Sequence, residues 1–321
     1  MATQTNLFKQ ESQFKQRQQL AQLELQENTL EHEKFKFLKT SCEFIDSIDF
    51  EQKTKVGKPN IKLSDLFKSV LVMAYNGMSY RRTHSDFIEL YNRKLISKIL
   101  RRSTLNKYMC MAETRKLIER LIQVSSLVFI EHEDTLICDS TWLSHSQYGG
   151  GYVVVHDKKN APLNKCTKIH VSCLKNSKMI AFAKATKGTV HDCPVFKEMI
   201  MSVVRNGFNI RNLLADCGYA SKDNYSFCNN LNIENTFIDF NSKAKLNERG
   251  RTAWDKRLKL FLKDNALWHE RYRFRVVIEG LFASMKKKQT TYLRSRNEIS
   301  RQNELLLKAL VYNMTIIGKY F

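Results

Sequence analysis

No run of ~20 apolar residues occurs in this 321-residue chain, so its sequence offers no membrane-spanning helix. The first residues lack the basic-then-apolar pattern of a secretory leader, and none of the eight cysteines forms a CxxC pair. Together these absences point to an intracellular, cytoplasmic protein with reduced thiols. Acidic residues are scarce. Thirty-two Asp and Glu stand against 53 Lys and Arg, giving a formal net charge of +21 and a pI near 9.6. That excess argues against an ordinary neutral enzyme. It favours a polyanionic partner, nucleic acid rather than a membrane surface, and hence a nucleoid-associated location. Gly149–Gly151 form a glycine triple without the strand-turn-helix setting of a phosphate loop, so residues 143–165 read as a loop or hairpin. The apolar positions of residues 1–39 (Phe8, Phe14, Leu20, Leu23, Leu30, Phe35) keep no heptad, which excludes a long coiled coil. What remains is a polar helical arm suited to dimer contacts, or a polar tail, followed by a linker at 51–60.

Residues 61–130 read as all-helical. Leu63, Leu66, Phe67, Val70 and Leu71 mark one amphipathic helix that stops at Asn76-Gly77. Ser79 is the expected N-cap of a second, and Ser103 of a third running through Leu105, Tyr108 and Met109. Short turns between such helices suit a helix-turn-helix, with Arg101, Arg102, Lys107 and Arg115 turned to a DNA major groove. A plain supporting bundle is the competing reading. Beyond residue 131 the pattern alternates. Strands are expected at 179–187 and 235–239, helices at 191–204, 221–231 and around 252–265, and an apolar helix at 303–317. This predicts a mixed α/β sheet flanked by helices. Cys166, His170, Cys173, His191 and Cys193 have residue types suited to zinc, but their spacing matches no standard finger.

The chemistry concentrates in three carboxylates. Thr135-Leu-Ile-Cys-Asp139 and Asn212-Leu-Leu-Ala-Asp216 are apolar runs ending in Asp, which read as buried strands. As parallel neighbours they would present both aspartates at the carboxyl edge of the sheet. The third is Glu279. Tyr272, Arg275, Glu279 and Lys286 are spaced by three, four and seven residues, which on one α-helix brings them within roughly 60°. Val277, Ile278, Leu281 and Met285 form the opposite, buried face. Three carboxylates suit Mg²⁺ or Mn²⁺, and two such ions ~4 Å apart support in-line phosphoryl transfer. Without ions the trio repels itself, so removing one member is expected to relieve strain. Around it lie Lys287, Lys288, Arg294 and Arg296, able to hold a phosphate backbone.

Tyr272-x2-Arg275-x3-Glu279-x6-Lys286 resembles the Tyr-Arg-Glu-Lys signature of the insertion-sequence DDE transposases of groups four and five. Cys138-Asp139-Ser-Thr141 resembles the first-Asp block of that family and Asp216-Cys-Gly218-Tyr219 the second. Thr167-Lys-Ile-His170 and Gly188-Thr-Val-His191-Asp192-Cys-Pro194 resemble the segments between. The resemblance covers roughly residues 131–317. It implies a ribonuclease-H-like catalytic domain (131–321), preceded by an arm and linker (1–60) and a helical region binding DNA ends (61–130). It further implies catalytic and metal-binding roles for Asp139, Asp216 and Glu279, with two ions. Tyr272, Arg275 and Lys286 would contact phosphates, joined by Lys287, Lys288, Arg101, Arg102 and Lys107, while His191 and Asp192 would support the carboxylates from behind. The function implied is that of a transposase, homodimeric on double-stranded DNA, that cleaves at terminal inverted repeats and joins the 3′-hydroxyl ends to target DNA. A nuclease without strand transfer and a domesticated DNA-binding regulator are the alternatives. The interval between Asp216 and Glu279 holds a helix, a strand and one more helix, too little for the large β insertion of some relatives.

Overall fold

The computed structural model describes residues 32–50, 61–147, 165–240, 244–246 and 250–320. Most of the polar arm, the 51–60 linker and the glycine triple therefore lie outside the described residues. Five strands form one mixed sheet: β1 (Thr135–Ser144), β2 (Cys166–Leu174), β3 (Ile180–Lys187), β4 (Asn212–Ala215) and β5 (Asn235–Ile238). Their spatial order is β3-β2-β1-β4-β5. The pairs β1/β2 and β2/β3 are antiparallel, while β1/β4 and β4/β5 are parallel. Strand β2, between β3 and β1, is buried at every position, so both sheet faces are covered there, as expected for a layered α/β core. Among the described residues, no helix is long and apolar enough to cross a membrane.

Among the described residues, five α-helices precede the sheet: α1 (Glu33–Asp46), α2 (Leu63–Asn76), α3 (His84–Asn92), α4 (Arg102–Met109) and α5 (Ala112–Ser126). α2 ends where the Asn76-Gly77 signal puts it. Gly77 adopts φ +56° as the left-handed cap, and a Cβ there would lie 2.7 Å from the Gln289 carbonyl. Only glycine satisfies both demands. The caps expected at Ser79 and Ser103 are not used. The Ser79 carbonyl accepts from the Arg82 and Thr83 amides, forming a turn, so α3 starts at His84. Ser103 falls inside the first turn of α4, whose cap position is Arg101.

After the first strands come α6 (Phe196–Arg205), α7 (Lys222–Asn230), α8 (Ala253–Lys263), α9 (Asn265–Tyr272), α10 (Val276–Gln289) and α11 (Glu298–Tyr320). α6 starts later than the expected residue 191, because Cys193–Val195 form a 3₁₀ turn with Pro194 in its first positions. Ser221 caps α7 by accepting from the Asn224 amide, as its sequence position predicts. Thr252 and Asp255 cap α8 reciprocally. α9, capped by Asp264, is one helix more than the sequence reading placed between Asp216 and Glu279.

α11 is the keystone. It packs against α1, α2, α4 and α5 as well as β2 and β3, and Leu305, Leu306, Leu310 and Met314 are wholly buried. Its Asn313 carboxamide brackets the start of edge strand β3, accepting from the Ile180 amide at 2.9 Å and donating to the Ile180 carbonyl at 2.8 Å. A further 2.8 Å bond reaches Ser125 on α5. Asn313→Ala would leave these buried groups unpaired, so it should lower stability by about 2–4 kcal/mol. Chemical denaturation checks this, and an unchanged midpoint would show that the edge strand needs no such bracket.

Candidate active site

The parallel β1/β4 register sets Cys138 beside Ala215. The next residue on each chain is an aspartate, so Asp139 and Asp216 emerge side by side where β4 ends. β1 itself does not stop at Asp139. It continues to Ser144, because β2 supplies pairing partners for Ser140 through Ser144. Asp139 thus stands in mid-strand at the rim of the β1/β4 ladder, and its side chain is only 16% exposed.

Glu279 lies in the first turn of α10, which packs on β1. The single long helix expected from Tyr272 to Lys286 is broken. Tyr272 ends α9, Arg273–Arg275 form a 3₁₀ turn, and α10 begins at Val276. The break still brings Tyr272 and Arg275 to the same place. Arg275 Nη1 donates to Asp139 Oδ2 at 2.5 Å and Nη2 to Glu279 Oε1 at 2.6 Å. Its guanidinium carbon lies 5.9 Å from the centre of the Tyr272 ring. Lys286 is anchored through Nζ to Thr141 Oγ1 at 2.7 Å, two residues beyond Asp139 on the same strand face.

The electrostatics follow from this crowding. Burial raises the Asp139 carboxyl to about 6, against the Ser140 amide and Arg275, which favour its charge. The neighbouring charges of Asp216 and Asp192 push in the same direction as burial. Burial also raises the Tyr272 phenol and lowers the Lys286 ammonium. These are the marks of a partly desolvated pocket with excess negative charge. Among the described residues no three His, Cys, Asp or Glu side chains are drawn together as a ready metal cage. At the acidic trio Arg275 stands between Asp139 and Glu279 as their shared cation. The donors are all carboxylate oxygens, the set that hard divalent ions prefer. Two of them already converge on one positive group, so the residues fit such an ion once Arg275 turns away.

The other candidates divide. Lys287 and Lys288 are exposed on the last turn of α10, and Lys288 pairs with Glu33 of α1. Arg101, Arg102 and Lys107 are exposed on or beside α4, whereas Arg115 is occupied by Gln302 at 2.7 Å. His191 is exposed. Its neighbour Asp192 is engaged: Lys168 Nζ lies 2.8 Å and His170 Nδ1 3.1 Å from Asp192 Oδ1. The cysteine–histidine group does not converge, since His170 faces Asp192 and Thr186 while Cys173 sits at a position of opposite parity on β2. Sequence reasoning passed over Ser140, Thr141, Trp142 and Lys168 as functional candidates. For Lys168 a signal existed, a charged residue inside an otherwise buried strand.

Residues 131–314 match the family model described as a transposase DDE domain. No curated protein matches the chain. Among solved structures, a cryo-EM structure of the piggyBac transposase synaptic complex with hairpin DNA is similar at 11% identity and a TM-score of 0.44. The similarity covers 89% of this chain and 72% of that one, and is too loose to align individual residues.

Proposed function

Because the chain belongs to the transposase DDE-domain family, we propose that it is an insertion-sequence transposase that cuts DNA at its element's ends and joins the freed 3′-hydroxyls to target DNA. The observations that support this reading are the emergence of Asp139 and Asp216 from adjacent parallel strands and the sharing of one cation by Asp139 and Glu279 of α10. Asp139, Asp216 and Glu279 would hold Mg²⁺ or Mn²⁺, two ions in all. When bound, these supply activation of the attacking water or hydroxyl and charge stabilisation at the phosphorus. The residues around them supply position. Lys286, held on Thr141 beside β1, would offer its ammonium to a phosphate of the cleaved strand. Tyr272 and Arg275 line the same rim, with the guanidinium able to take a phosphate bidentately once it leaves the carboxylates.

The test uses duplexes carrying the inverted repeats that flank the gene, with supercoiled plasmid as target. Nicking at the repeat end followed by joined product is expected in Mg²⁺ or Mn²⁺, and binding without cleavage in Ca²⁺. Cleavage without joining would make the protein a nuclease, and binding with no cleavage in any metal a regulator.

The recognition surface is proposed on α4 and on the end of α10. Arg101, Arg102 and Lys107 changed together to Ala should remove the preference for the repeat over unrelated duplex. Lys287→Ala with Lys288→Ala should weaken all duplexes and flatten the salt dependence of binding by about one to two units. The larger share should come from Lys287, since Lys288 is already paired with Glu33. Fluorescence anisotropy across a salt series reads both effects, and an unchanged slope would put the DNA elsewhere.

A further inference from the structure

The polar residues buried behind the catalytic edge form a connected set. Lys168 and His170 lie on β2 opposite Trp142 and Ser140 of β1, so all four share one face of the sheet. Lys168 is 3% exposed and His170 fully buried. Burying an ammonium in a sheet is unfavourable without a fixed partner, and the partner is Asp192 at 2.8 Å. The Lys168 ammonium also donates to the Val190 carbonyl at 3.3 Å and lies 4.8 Å from the Trp142 ring centre. The Trp142 indole N–H is spent on the Gly188 carbonyl. His170 reaches Asp192 with one ring nitrogen and Thr186 Oγ1, at 3.0 Å, with the other.

Asp192 joins this face to both catalytic aspartates. It lies beside Ser140, the residue after Asp139, and although burial opposes its charge, His170, Lys168 and Ser140 hold its carboxyl down at about 2. On its other side it faces Gly218, two residues after Asp216. A Cβ at Gly218 would sit 3.5 Å from Asp192 Oδ2. Tyr219, the next residue, is buried and packs on Phe196, ring centres 5.6 Å apart. One carboxylate therefore stands between the strand that carries Asp139 and the turn that follows Asp216.

We infer that Asp192, braced by Lys168, is a positioning residue that fixes the separation of Asp139 and Asp216. The inference deepens the transposase reading and rests on it for the identity of the ligand. It also gives one physical reason for four separate sequence blocks: Ser140, Lys168 with His170, and Gly218 all border Asp192. The exposed His191 has no part in it.

The test compares the full-length protein with Asp192→Asn and with Asp192→Asn/Lys168→Met. Mn²⁺ binding to the DNA-free protein is read by electron paramagnetic resonance, alongside thermal unfolding and cleavage of a repeat-end duplex. Asp192→Asn should weaken Mn²⁺ about tenfold or more and slow cleavage by a similar or larger factor, with duplex affinity unchanged. The single variant leaves the Lys168 ammonium uncompensated and should unfold earlier. The double variant removes that charge and should recover thermal stability, while Mn²⁺ affinity and cleavage stay low. Wild-type Mn²⁺ affinity in Asp192→Asn, or recovery of Mn²⁺ affinity in the double variant, would overturn the inference and leave Asp192 as a counter-ion for folding alone. If the wild-type protein cleaves nothing, the transposase reading fails by itself, and the Mn²⁺ comparison still decides the role of Asp192.

Discussion

Asp139→Ala, Asp216→Ala and Glu279→Ala should each reduce strand cleavage by about 10³-fold or more, with binding of the repeat-end duplex nearly unchanged. Groups that act as one unit fail together, so the triple variant should be little worse than any single one. Stability separates the three. Mutual repulsion alone would make every removal favourable to the DNA-free protein. Arg275 changes the sign for two of them, because Asp139 and Glu279 are its hydrogen-bond partners at 2.5 and 2.6 Å. Asp139→Ala leaves a guanidinium that is 21% exposed with one partner fewer, a loss of about 1–2 kcal/mol. Asp216 contributes charge to the site without a direct bond to Arg275, so Asp216→Ala should leave the unfolding midpoint unchanged or raised. Cleavage by Glu279→Ala at the wild-type rate would reduce Glu279 to a solvated residue on a charged helix.

Arg275→Ala should act on the DNA-free protein in the opposite direction to Asp192→Asn. With the guanidinium gone, Asp139 and Glu279 lose their shared cation, and a divalent ion no longer has to displace it. Mn²⁺ affinity should rise about tenfold, or ~1.4 kcal/mol, while DNA cleavage falls because a phosphate ligand is lost. Titration calorimetry without DNA reads the first effect and a cleavage time course the second. Equal Mn²⁺ affinity in the two proteins would mean that Arg275 leaves the carboxylates at no energetic cost.

The aspartates were legible in the sequence because each closes an apolar run, and a buried strand needs such a run. That β1 runs five residues past Asp139 was not legible, because its continuation depends on pairing with β2 across the 148–164 interval. Periodicity alone extends the signature helix back to Tyr272. It does not register the 3₁₀ turn at Arg273–Arg275, although the residues still meet at the expected rim. The charge of Arg275 suggested a phosphate. Only the fold reveals that two carboxylates lie closer to it. The unused caps at Ser79 and Ser103 have a similar origin: a serine carbonyl can close a turn as readily as its hydroxyl can start a helix. Asp192 was noted beside His191, but nothing local distinguishes the engaged member of the pair from the exposed one.

The packing of α11 sets an order of events during synthesis. Asn303 bonds to the Met109 carbonyl 194 residues earlier, and Asn313 to Ser125 at a separation of 188. Translation runs from the N-terminus, so α1 to α5 and the β1/β2 hairpin leave the ribosome long before the helix that completes their core. Until α11 emerges, the apolar faces of α2 and α5 and the edge of β3 have no permanent cover, and a nascent chain in that state is a client for chaperones. Asp139 and Asp216 belong to the sheet that waits for this closure. A chain interrupted before α11 therefore carries Asp139, Asp216 and Glu279 without the frame that aligns them, and the three carboxylates take their places only after α11 has docked.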